Sequence, residues 1–447
     1  MATDILLVNP FSWTRDGRAS YLPYGILYLA SYLRKRKVNV SIVDCNTRDN
    51  IMQVIKAQKP DIIGLSVLTG PVINDALEIS REAKKLYNPK IVWGGLHPTL
   101  FPKIVREEKS VDCIIRGEGE EALYRLMNDM NFTSIYENQS LIDLNQEPMP
   151  AWDLLPDMNK YIMNKHYGDR VLTLNTSRGC VNDCAFCFNN AMKTHKWRAL
   201  SAENIFKQVM HLALEYDING ILFYEDNFDV DKERVKRFCE LMIQSKLNKS
   251  IKWAHFSCVK KADPELIRYE REAGCREIGY GVESGSNRIL ELLNKKQNTK
   301  DIQRAFDICK QQGMKATALF MIGLPTETED DLYFTEHLIK RLHSFQDICT
   351  IYRPYPKTKL HDMCHIPEPT TLEAQADFYA YGKLDEKIRN VSEVSTARLL
   401  FLQRHFYQNT IMKELYHCIK DFNFKRLYYL LKEGFKYASG NLFRKGA

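Results

Sequence analysis

The chain has 447 residues, 45% of them hydrophobic and 27% charged, and its 63 basic and 56 acidic side chains give a formal net charge of +7. This length predicts two or three domains, and the composition is typical of a folded protein. A net charge this small, without a recognition motif, argues against nucleic-acid binding. We find neither an apolar run of about 18 residues that would span a membrane nor a signal-peptide pattern, since the apolar run at 5–8 is short. Twelve cysteines without extracellular features favour a reducing compartment, so we expect a cytoplasmic protein.

Apolar runs alternate with helical patterns over the first 130 residues. Strands are predicted at 5–8, 38–43, 62–67, 91–93 and 112–116, with helices between them that include 24–36, 74–86 and 120–130. Such alternation predicts a parallel, doubly wound, Rossmann-like α/β sheet. Its ligand site should lie beyond the carboxyl ends of the strands.

Glycine-containing loops follow three of these strands. They read Ser-Val-Leu-Thr-Gly at 66–70, Gly-Gly-Leu-His-Pro-Thr at 94–99 and Arg-Gly-Glu-Gly-Glu at 116–120. Glycine lets a backbone approach a large ligand closely. The candidate ligand-binding residues of this domain are Ser66, Thr69, Gly94, Gly95, His97 and Glu118.

A second domain is predicted after a polar stretch at 131–150, where prolines favour an extended linker. Six strand patterns, beginning at 171, 220, 252, 277, 315 and 348, alternate with helices. They predict a partial (β/α)6 TIM barrel whose function lies at the carboxyl ends of its strands. The expected domains are therefore 1–135, a linker at 136–165, the barrel at 166–366 and a small helical region at 367–447.

Three cysteines, Cys180, Cys184 and Cys187, stand at C-x3-C-x2-C spacing just after the first barrel strand. Three thiolates are one fewer than a closed four-ligand metal site requires. A [4Fe–4S] cluster held in this way keeps one iron free for a non-protein ligand; a zinc half-site is the alternative. The other nine cysteines are scattered singly, which favours buried structural thiols.

The cysteine loop resembles that of the radical S-adenosylmethionine superfamily, whose C-x3-C-x-aromatic-C motif has Phe186 at its aromatic position. The resemblance implies that the cluster binds S-adenosylmethionine and cleaves it to a 5′-deoxyadenosyl radical. It also implies contacts to S-adenosylmethionine from Phe186, from Asp226 with its neighbour Glu225, and from Glu283 and Ser284. The alternative for Glu283 is a turn carboxylate that bonds the next backbone amides, and one of the two adjacent acids could only cap a helix.

The glycine-containing loops upstream resemble the cobalamin-binding domain that precedes the radical module in one large subfamily. In cobalamin mutases a D-x-H-x-x-G motif supplies a histidine to cobalt, whereas this chain has Asn46 at the corresponding place. We therefore expect cobalamin without a histidine lower ligand from that motif. His97 is a substitute ligand or has a turn or edge role, and the turn or edge role is favoured.

Together these resemblances imply a cobalamin-dependent radical S-adenosylmethionine enzyme that methylates an unactivated carbon of a small-molecule or lipid-like substrate. A flavodoxin or ferredoxin would be its low-potential electron donor. Two alternatives stay open. One is a non-methylating cyclase or oxidative rearrangement enzyme, such as the anaerobic cyclase of chlorophyll synthesis, and the other is a non-enzymatic cobalamin or redox sensor. No general acid or base can be named.

The C-terminal segment 420–447 contains seven basic and two acidic residues interleaved with aromatic and aliphatic ones. A basic amphipathic end of this kind can touch an anionic lipid surface. It can equally pack on the protein with one solvated face. A peripheral membrane contact is therefore one expectation for this segment.

Overall fold

The structure is a computed structural model that describes residues 4–11, 21–47, 50–129, 131–132, 135–138, 141–192, 196–379, 389–420, 426–428 and 430–431. It divides into two compact units. Unit 1 contains Met1–Ile162, Ser177–Leu200 and Arg353–Asp385, and unit 2 contains Met163–Thr176, Ser201–Tyr352 and Glu386–Ala447. In the described part of the chain, no helix is both long and apolar enough to cross a membrane.

Unit 1 is built on a six-stranded parallel sheet. Its strands are β1 (Ile5–Asn9), β2 (Val40–Asp44), β3 (Ile62–Ser66), β4 (Lys90–Gly94), β5 (Cys113–Arg116) and β6 (Ile135–Glu137). Its first helices are α1 (Tyr24–Lys35), α2 (Ile51–Gln58), α3 (Val72–Tyr87), α4 (Leu96–Leu100), α5 (Pro102–Glu107) and α6 (Glu120–Asp129). The strand order β2-β1-β3-β4-β5-β6 confirms the predicted doubly wound sheet. The order reverses between β1 and β3, which is where such sheets bind ligands.

The core of unit 1 lies between this sheet and its helices. β1, β3 and β4 are apolar on both faces because helices cover both sides of a parallel sheet. Trp93 is fully buried, and its Nε1 donates to Oγ of Ser80 on α3 at 2.9 Å. One prediction was wrong: β6 lies inside the stretch predicted as a linker and pairs with β5 in parallel. Only the central residue of β6, Tyr136, is buried. This three-residue strand is therefore too short for an apolar pattern that would predict it from sequence.

The second half of the chain contains the remaining elements. The strands are β7 (Met163–Lys165), β8 (Gly168–Leu174), β9 (Ser177–Arg178), β10 (Arg198–Ala199), β11 (Gly220–Phe223), β12 (Lys252–Ser257), β13 (Cys275–Glu283), β14 (Lys315–Ile322) and β15 (Gln346–Ile351). The helices are α7 (Phe188–Ala191), α8 (Ala202–Tyr216), α9 (Lys232–Gln244), α10 (Leu247–Ser250), α11 (Pro264–Glu272), α12 (Asn287–Leu292), α13 (Thr299–Gln311), α14 (Glu329–Leu342), α15 (Lys359–Met363), α16 (Leu372–Phe378) and α17 (Thr396–Lys420).

Unit 2 has one seven-stranded sheet in the order β15-β14-β13-β12-β11-β8-β7. Six of these strands, β8, β11, β12, β13, β14 and β15, are parallel, which confirms the partial barrel. β7 is an additional edge strand, antiparallel to β8, that the sequence did not predict. The predicted N-cap of α8 is confirmed, because Oγ of Ser201 accepts from the Asn204 amide at 3.2 Å.

The predicted helical C-terminal region is confirmed in α16 and α17. α16 packs on α3 of unit 1, and α17 packs on β15 of unit 2. Most of the basic segment 420–447 lies outside the described residues, so its predicted amphipathic character stays a prediction.

Candidate functional site

The cysteine loop is closed at its base by a short antiparallel pair. β9 and β10 place Arg178 opposite Arg198 and Ser177 opposite Ala199. Gly179 then turns the chain with a φ of 80°, a conformation that glycine adopts without strain. These two strands, which we call the stem, form the base of the cysteine loop.

Of the three motif cysteines, Cys184 is buried, and Cys180 and Cys187 are half-buried. The amide of Cys187 donates to the carbonyl of Cys184 at 3.1 Å, which forms a turn between the last two cysteines. Among the described residues, no three Cys, His, Asp or Glu side chains converge as the ligands of one metal ion would. Thiolates that each bind a different iron of a cluster need not converge, and three soft sulfur donors suit iron–sulfur chemistry. Their assignment as cluster ligands stays a prediction.

The segment after the barrel also contacts the cysteine loop within unit 1. The Leu360 amide donates to the carbonyl of Ala185 at 2.9 Å, and Nζ of Lys359 lies 2.8 Å from Oδ2 of Asp183. The ring of Phe188 lies 6.0 Å from that of Tyr355. Burial raises the pKa of Tyr355 to about 12, so this phenol stays neutral beside the loop.

Two glutamates after β5 bind the stem. Glu118 forms ion pairs with both Arg178 and Arg198, and Nη2 of Arg178 donates to Oε1 of Glu120 at 2.7 Å. Glu120 begins α6, where a carboxylate is favoured by the helix dipole. Glu118, predicted to contact cobalamin, therefore has its carboxylate in contact with two arginines.

The other predicted cobalamin residues lie at the carboxyl ends of β3 and β4. Ser66 ends β3 and is half-buried, whereas Thr69 is buried in the loop that follows. Gly94 ends β4, and Gly95 has a φ of 95° and a ψ of −162°, a region open essentially only to glycine. A Cβ on Gly95 would lie 3.1 Å from the Val67 amide nitrogen and carbonyl oxygen.

His97 lies in α4 and is fully buried. Neither ring nitrogen has a hydrogen-bond partner within the described structure, and the ring lies 5.2 Å from that of Phe101. Burial lowers the pKa of His97 to about 3, so the imidazole is neutral. The two roles predicted for His97, a substitute cobalt ligand or a turn or edge residue, both stay predictions.

The position that corresponds to the cobalt-binding histidine of mutases is filled by an inward-facing asparagine. Nδ2 of Asn46 donates to Oδ1 of Asp44 at 2.9 Å. Asp44 also accepts from Nδ2 of Asn9 at 2.9 Å and from the Tyr161 hydroxyl at 2.8 Å. Asn46 thus completes a buried hydrogen-bond network after β2.

In unit 2, the two adjacent acids after β11 have different surroundings. Glu225 is buried, and its Oε1 accepts from the Thr176 hydroxyl at 2.7 Å. Nη2 of Arg234 donates to the same hydroxyl at 2.6 Å. Asp226 is exposed. Of the two predicted S-adenosylmethionine contacts, Asp226 therefore has the accessible carboxylate.

Glu283 and Ser284 lie at the carboxyl end of β13. Glu283 has a φ of 67° at a register irregularity, and its Oε1 accepts from Nζ of Lys295 at 2.8 Å. The amides of Gly285 and Ser286 instead donate to Oγ1 of Thr335 and Oγ of Ser284. The alternative role of Glu283 as their acceptor is thus wrong. Ser284 is fully buried.

Sequence reasoning missed five residues around these candidates: Thr176, Arg178, Arg198, Glu120 and Arg234. Thr176 and Arg178 lie just before the cysteine motif, and Glu120 belongs to the Arg-Gly-Glu-Gly-Glu loop. Three of the five residues are therefore inside or next to a motif. Their side-chain partners lie 49 to 80 residues away in sequence, which no local pattern reveals.

Two family models match the chain. The B12 binding domain matches residues 18–127 and the radical SAM superfamily matches residues 174–339. An uncharacterized methyltransferase of Pyrococcus horikoshii is 32% identical over 76% of this chain and 77% of its own length. The anaerobic magnesium-protoporphyrin IX monomethyl ester cyclase of Rubrivivax gelatinosus is 26% identical over 80% of this chain and 69% of its own length.

A solved structure shares the fold. The radical S-adenosylmethionine methyltransferase TsrM from Kitasatospora setae, with cobalamin and a [4Fe–4S] cluster bound, aligns with a TM-score of 0.66 and 16% identity over 81% of this chain and 78% of that chain. The two family models confirm the predicted cofactors, a [4Fe–4S] cluster, S-adenosylmethionine and cobalamin. This chain therefore belongs to the radical SAM superfamily, as an enzyme that carries a B12 binding domain ahead of its radical SAM domain.

Proposed function

We propose that this enzyme is a cobalamin-dependent methyltransferase that methylates an unactivated carbon of a small-molecule or lipid-like substrate. The observation that carries the proposal is the order of the two domains on one chain, with the cysteine loop in the same compact unit as the B12 binding domain. The methyltransferase of Pyrococcus horikoshii supports it, since the alignment spans most of both chains.

Cys180, Cys184 and Cys187 would hold the cluster. When bound, the cluster supplies the electron that cleaves S-adenosylmethionine, and cobalamin supplies the transferable methyl group. Asp226, exposed at the carboxyl end of β11, suits the ammonium group of S-adenosylmethionine, because a carboxylate binds a cation by charge-assisted hydrogen bonds. Glu283, already paired with Lys295, would give a second polar contact at the same edge of the sheet.

The ratio of two small products tests methyl transfer. Reconstituted enzyme with substrate, S-adenosylmethionine and an electron donor should form S-adenosylhomocysteine and 5′-deoxyadenosine in about equal amounts, together with a methylated product. Formation of 5′-deoxyadenosine without S-adenosylhomocysteine would instead support a cyclase or rearrangement. That second function is favoured by the cyclase of Rubrivivax gelatinosus, which aligns over most of this chain.

The electron donor is proposed to be a flavodoxin or ferredoxin. Purified flavodoxin with its reductase should support 5′-deoxyadenosine release from the reconstituted enzyme, as dithionite does. Release with dithionite alone would contradict a flavodoxin donor and leave ferredoxin to be tested in the same assay.

We also propose that α17 contacts an anionic lipid surface. Phe401, Met412, Tyr416 and Ile419 are each more than half exposed and fall on one helix face, opposite the face that packs on β15. Exposed Arg404 and Lys420, and the basic residues that follow, complement anionic headgroups. The full-length enzyme should sediment with anionic vesicles, and a Met412→Ser/Ile419→Ser variant should bind them less. Equal binding to neutral vesicles would contradict this proposal.

A further inference from the structure

We propose that Glu118 is a positioning residue that couples cobalamin binding to the stem of the cysteine loop. The inference rests on the proposed function, since it concerns how the two cofactor sites of that function communicate. It assigns Glu118 a role in coupling two sites, which differs from the direct cobalamin contact that its sequence position suggested.

Both arginines of the stem contact the same carboxylate. Oε2 of Glu118 lies 3.1 Å from Nη1 of Arg178, and Oε1 pairs with Nη2 of Arg198. Because Arg178 and Arg198 are register partners across β9 and β10, one side chain holds both strands of the stem. Cys180 follows Arg178 by two residues, so the position of the stem sets where the cysteine loop begins.

The surroundings make these ion pairs stronger than ordinary surface pairs. The Glu118 side chain is 16% exposed, and those of Arg178 and Arg198 are 23% and 21% exposed. Arg178 also donates to Glu120, and its guanidinium lies 5.1 Å from the ring centroid of Tyr28. Nη1 of Arg198 donates to the carbonyl of Ile142 at 2.8 Å. Two cations thus face two carboxylates, and loss of one carboxylate would leave a largely buried guanidinium without its counter-charge.

Two hydrogen bonds join the loop after β4 to Gly117, the residue that precedes Glu118 in the loop after β5. Oγ1 of Thr99 donates to the carbonyl of Gly95 at 2.7 Å, and the Gly117 amide donates to the same Oγ1 at 2.9 Å. Gly117 has a φ of 73°, and a Cβ built on it would meet no described atom within 4 Å. The loop after β5 therefore faces open space at the carboxyl edge of the sheet, one residue before Glu118.

These contacts give the coupling a physical basis. A ligand that orders the loops after β4 and β5 also orders Glu118, and Glu118 then holds the stem of the cysteine loop. Coupling between two binding sites is reciprocal. A cysteine loop ordered by its cluster should therefore favour cobalamin binding by the same factor by which cobalamin favours the cluster-bound loop.

The test is an absorbance titration of the full chain with hydroxocobalamin, with the cluster reconstituted and without it. In the wild-type protein we expect cobalamin to bind about five- to tenfold more tightly when the cluster is present. In Glu118→Gln, which keeps the size of the side chain but removes its charge, the two dissociation constants should agree within about twofold. A Glu118→Gln protein with the wild-type ratio would overturn the inference.

Two further variants keep the result interpretable. Arg81→Gln removes ion pairs to Glu108 and Glu373, which involve neither the stem nor the ligand-binding loops, and should retain the wild-type ratio. Arg198→Lys keeps the charge but removes the fork of donors that binds both Glu118 and Ile142, so it should lower the ratio even if Glu118→Gln fails to fold. A ratio unchanged in Arg198→Lys would count against the inference.

Failure of the coupling and failure of the proposed function give different results. If the wild-type protein binds both cofactors and its cobalamin dissociation constants with and without the cluster are equal, the coupling alone is refuted. A wild-type protein that binds no cobalamin with or without its cluster refutes both. Absence of S-adenosylhomocysteine refutes methyl transfer and leaves the measured coupling unaffected.

Discussion

The hydroxyl group of Thr176 donates a hydrogen bond of 2.7 Å to Oε1 of Glu225 and accepts one of 2.6 Å from Nη2 of Arg234. These three side chains are buried together at the carboxyl edge of the barrel sheet. Nη1 of Arg234 also donates to the carbonyl of Phe228 at 2.9 Å. The network holds the loop after β11 and leaves the neighbouring Asp226 exposed, so two adjacent carboxylates have separable roles.

Asp226→Asn should weaken S-adenosylmethionine binding without weakening the fold. Loss of one charge-assisted contact is worth about 1.4 kcal/mol, or about a tenfold higher dissociation constant. Isothermal titration of the anaerobically reconstituted protein measures it, and the thermal midpoint should stay at the wild-type value. A dissociation constant equal to that of the wild type would exclude Asp226 as a ligand.

Glu225→Gln is the matched control, with the opposite expected result. The amide oxygen can still accept from Thr176, but the buried Arg234 loses a nearby negative charge. We expect a loss of about 1 to 3 kcal/mol in the free energy of unfolding, measured by denaturant titration. A variant as stable as the wild type but deficient in S-adenosylmethionine binding would reverse the two assignments.

Cys184→Ala should abolish the visible absorption of the reconstituted cluster, because two remaining thiolates do not hold a cubane of this class. Cys364→Ala is the control. Cys364 is half-buried on the segment that contacts the cysteine loop, and burial raises the pKa of its thiol to about 11, which disfavours the thiolate that iron requires. Iron and sulfide analysis should separate the two variants, and full iron content in Cys184→Ala would remove that cysteine from the ligand set.

Gly95→Ala should destabilise the protein more than Gly117→Ala. Both glycines have positive φ, which costs an L-residue roughly 1–3 kcal/mol, and Gly95 lies in the region open essentially only to glycine. A Cβ at Gly95 would in addition press on the Val67 backbone, whereas at Gly117 it would meet open space. Chemical unfolding of the cofactor-free protein gives both values. Equal losses would mean that the Val67 contact relaxes without cost.

Glu327 should give the stability of the protein a pH dependence. The carboxyl group is fully buried, and Oε2 accepts from the amides of Gly323 and Leu324 at 2.5 Å and 3.2 Å. Burial raises its pKa from 4.5 to about 7. Between these values the folded state binds more protons than the unfolded chain, so the contribution of this group falls as pH rises through that window.

Glu327→Gln removes this titration. Its thermal midpoint relative to the wild type should therefore be higher at pH 8 than at pH 5, measured by calorimetry of the cofactor-free protein. Glu291→Gln, which changes an exposed glutamate, is the control variant and is measured in the same way. If the difference in thermal midpoint between Glu327→Gln and the wild type were independent of pH, the pKa of the Glu327 carboxyl group would not be raised by burial.

The sequence predicted the sheets because their signal is local. Buried parallel strands are apolar over several consecutive residues, and the strand order of unit 1 agrees with a doubly wound sheet. β6 and β7 escaped prediction because each has three residues and lies at a sheet edge, where burial imposes little pattern. The spacing of Cys180, Cys184 and Cys187 identified the superfamily for the same reason, since the motif is confined to one loop.

The tertiary structure alone decided which polar residues contact each other. Arg178 and Glu120 are 58 residues apart in sequence, and Arg198 and Glu118 are 80 apart. Whether a glutamate faces a ligand, as predicted for Glu118, or an arginine depends on how separate strands and loops come together. The sequence by itself therefore determined the family and its cofactors through local motifs and strand patterns. Which residue binds, which one positions and which one only packs was decided by contacts between distant segments, because burial and charge pairing exist only in the folded chain.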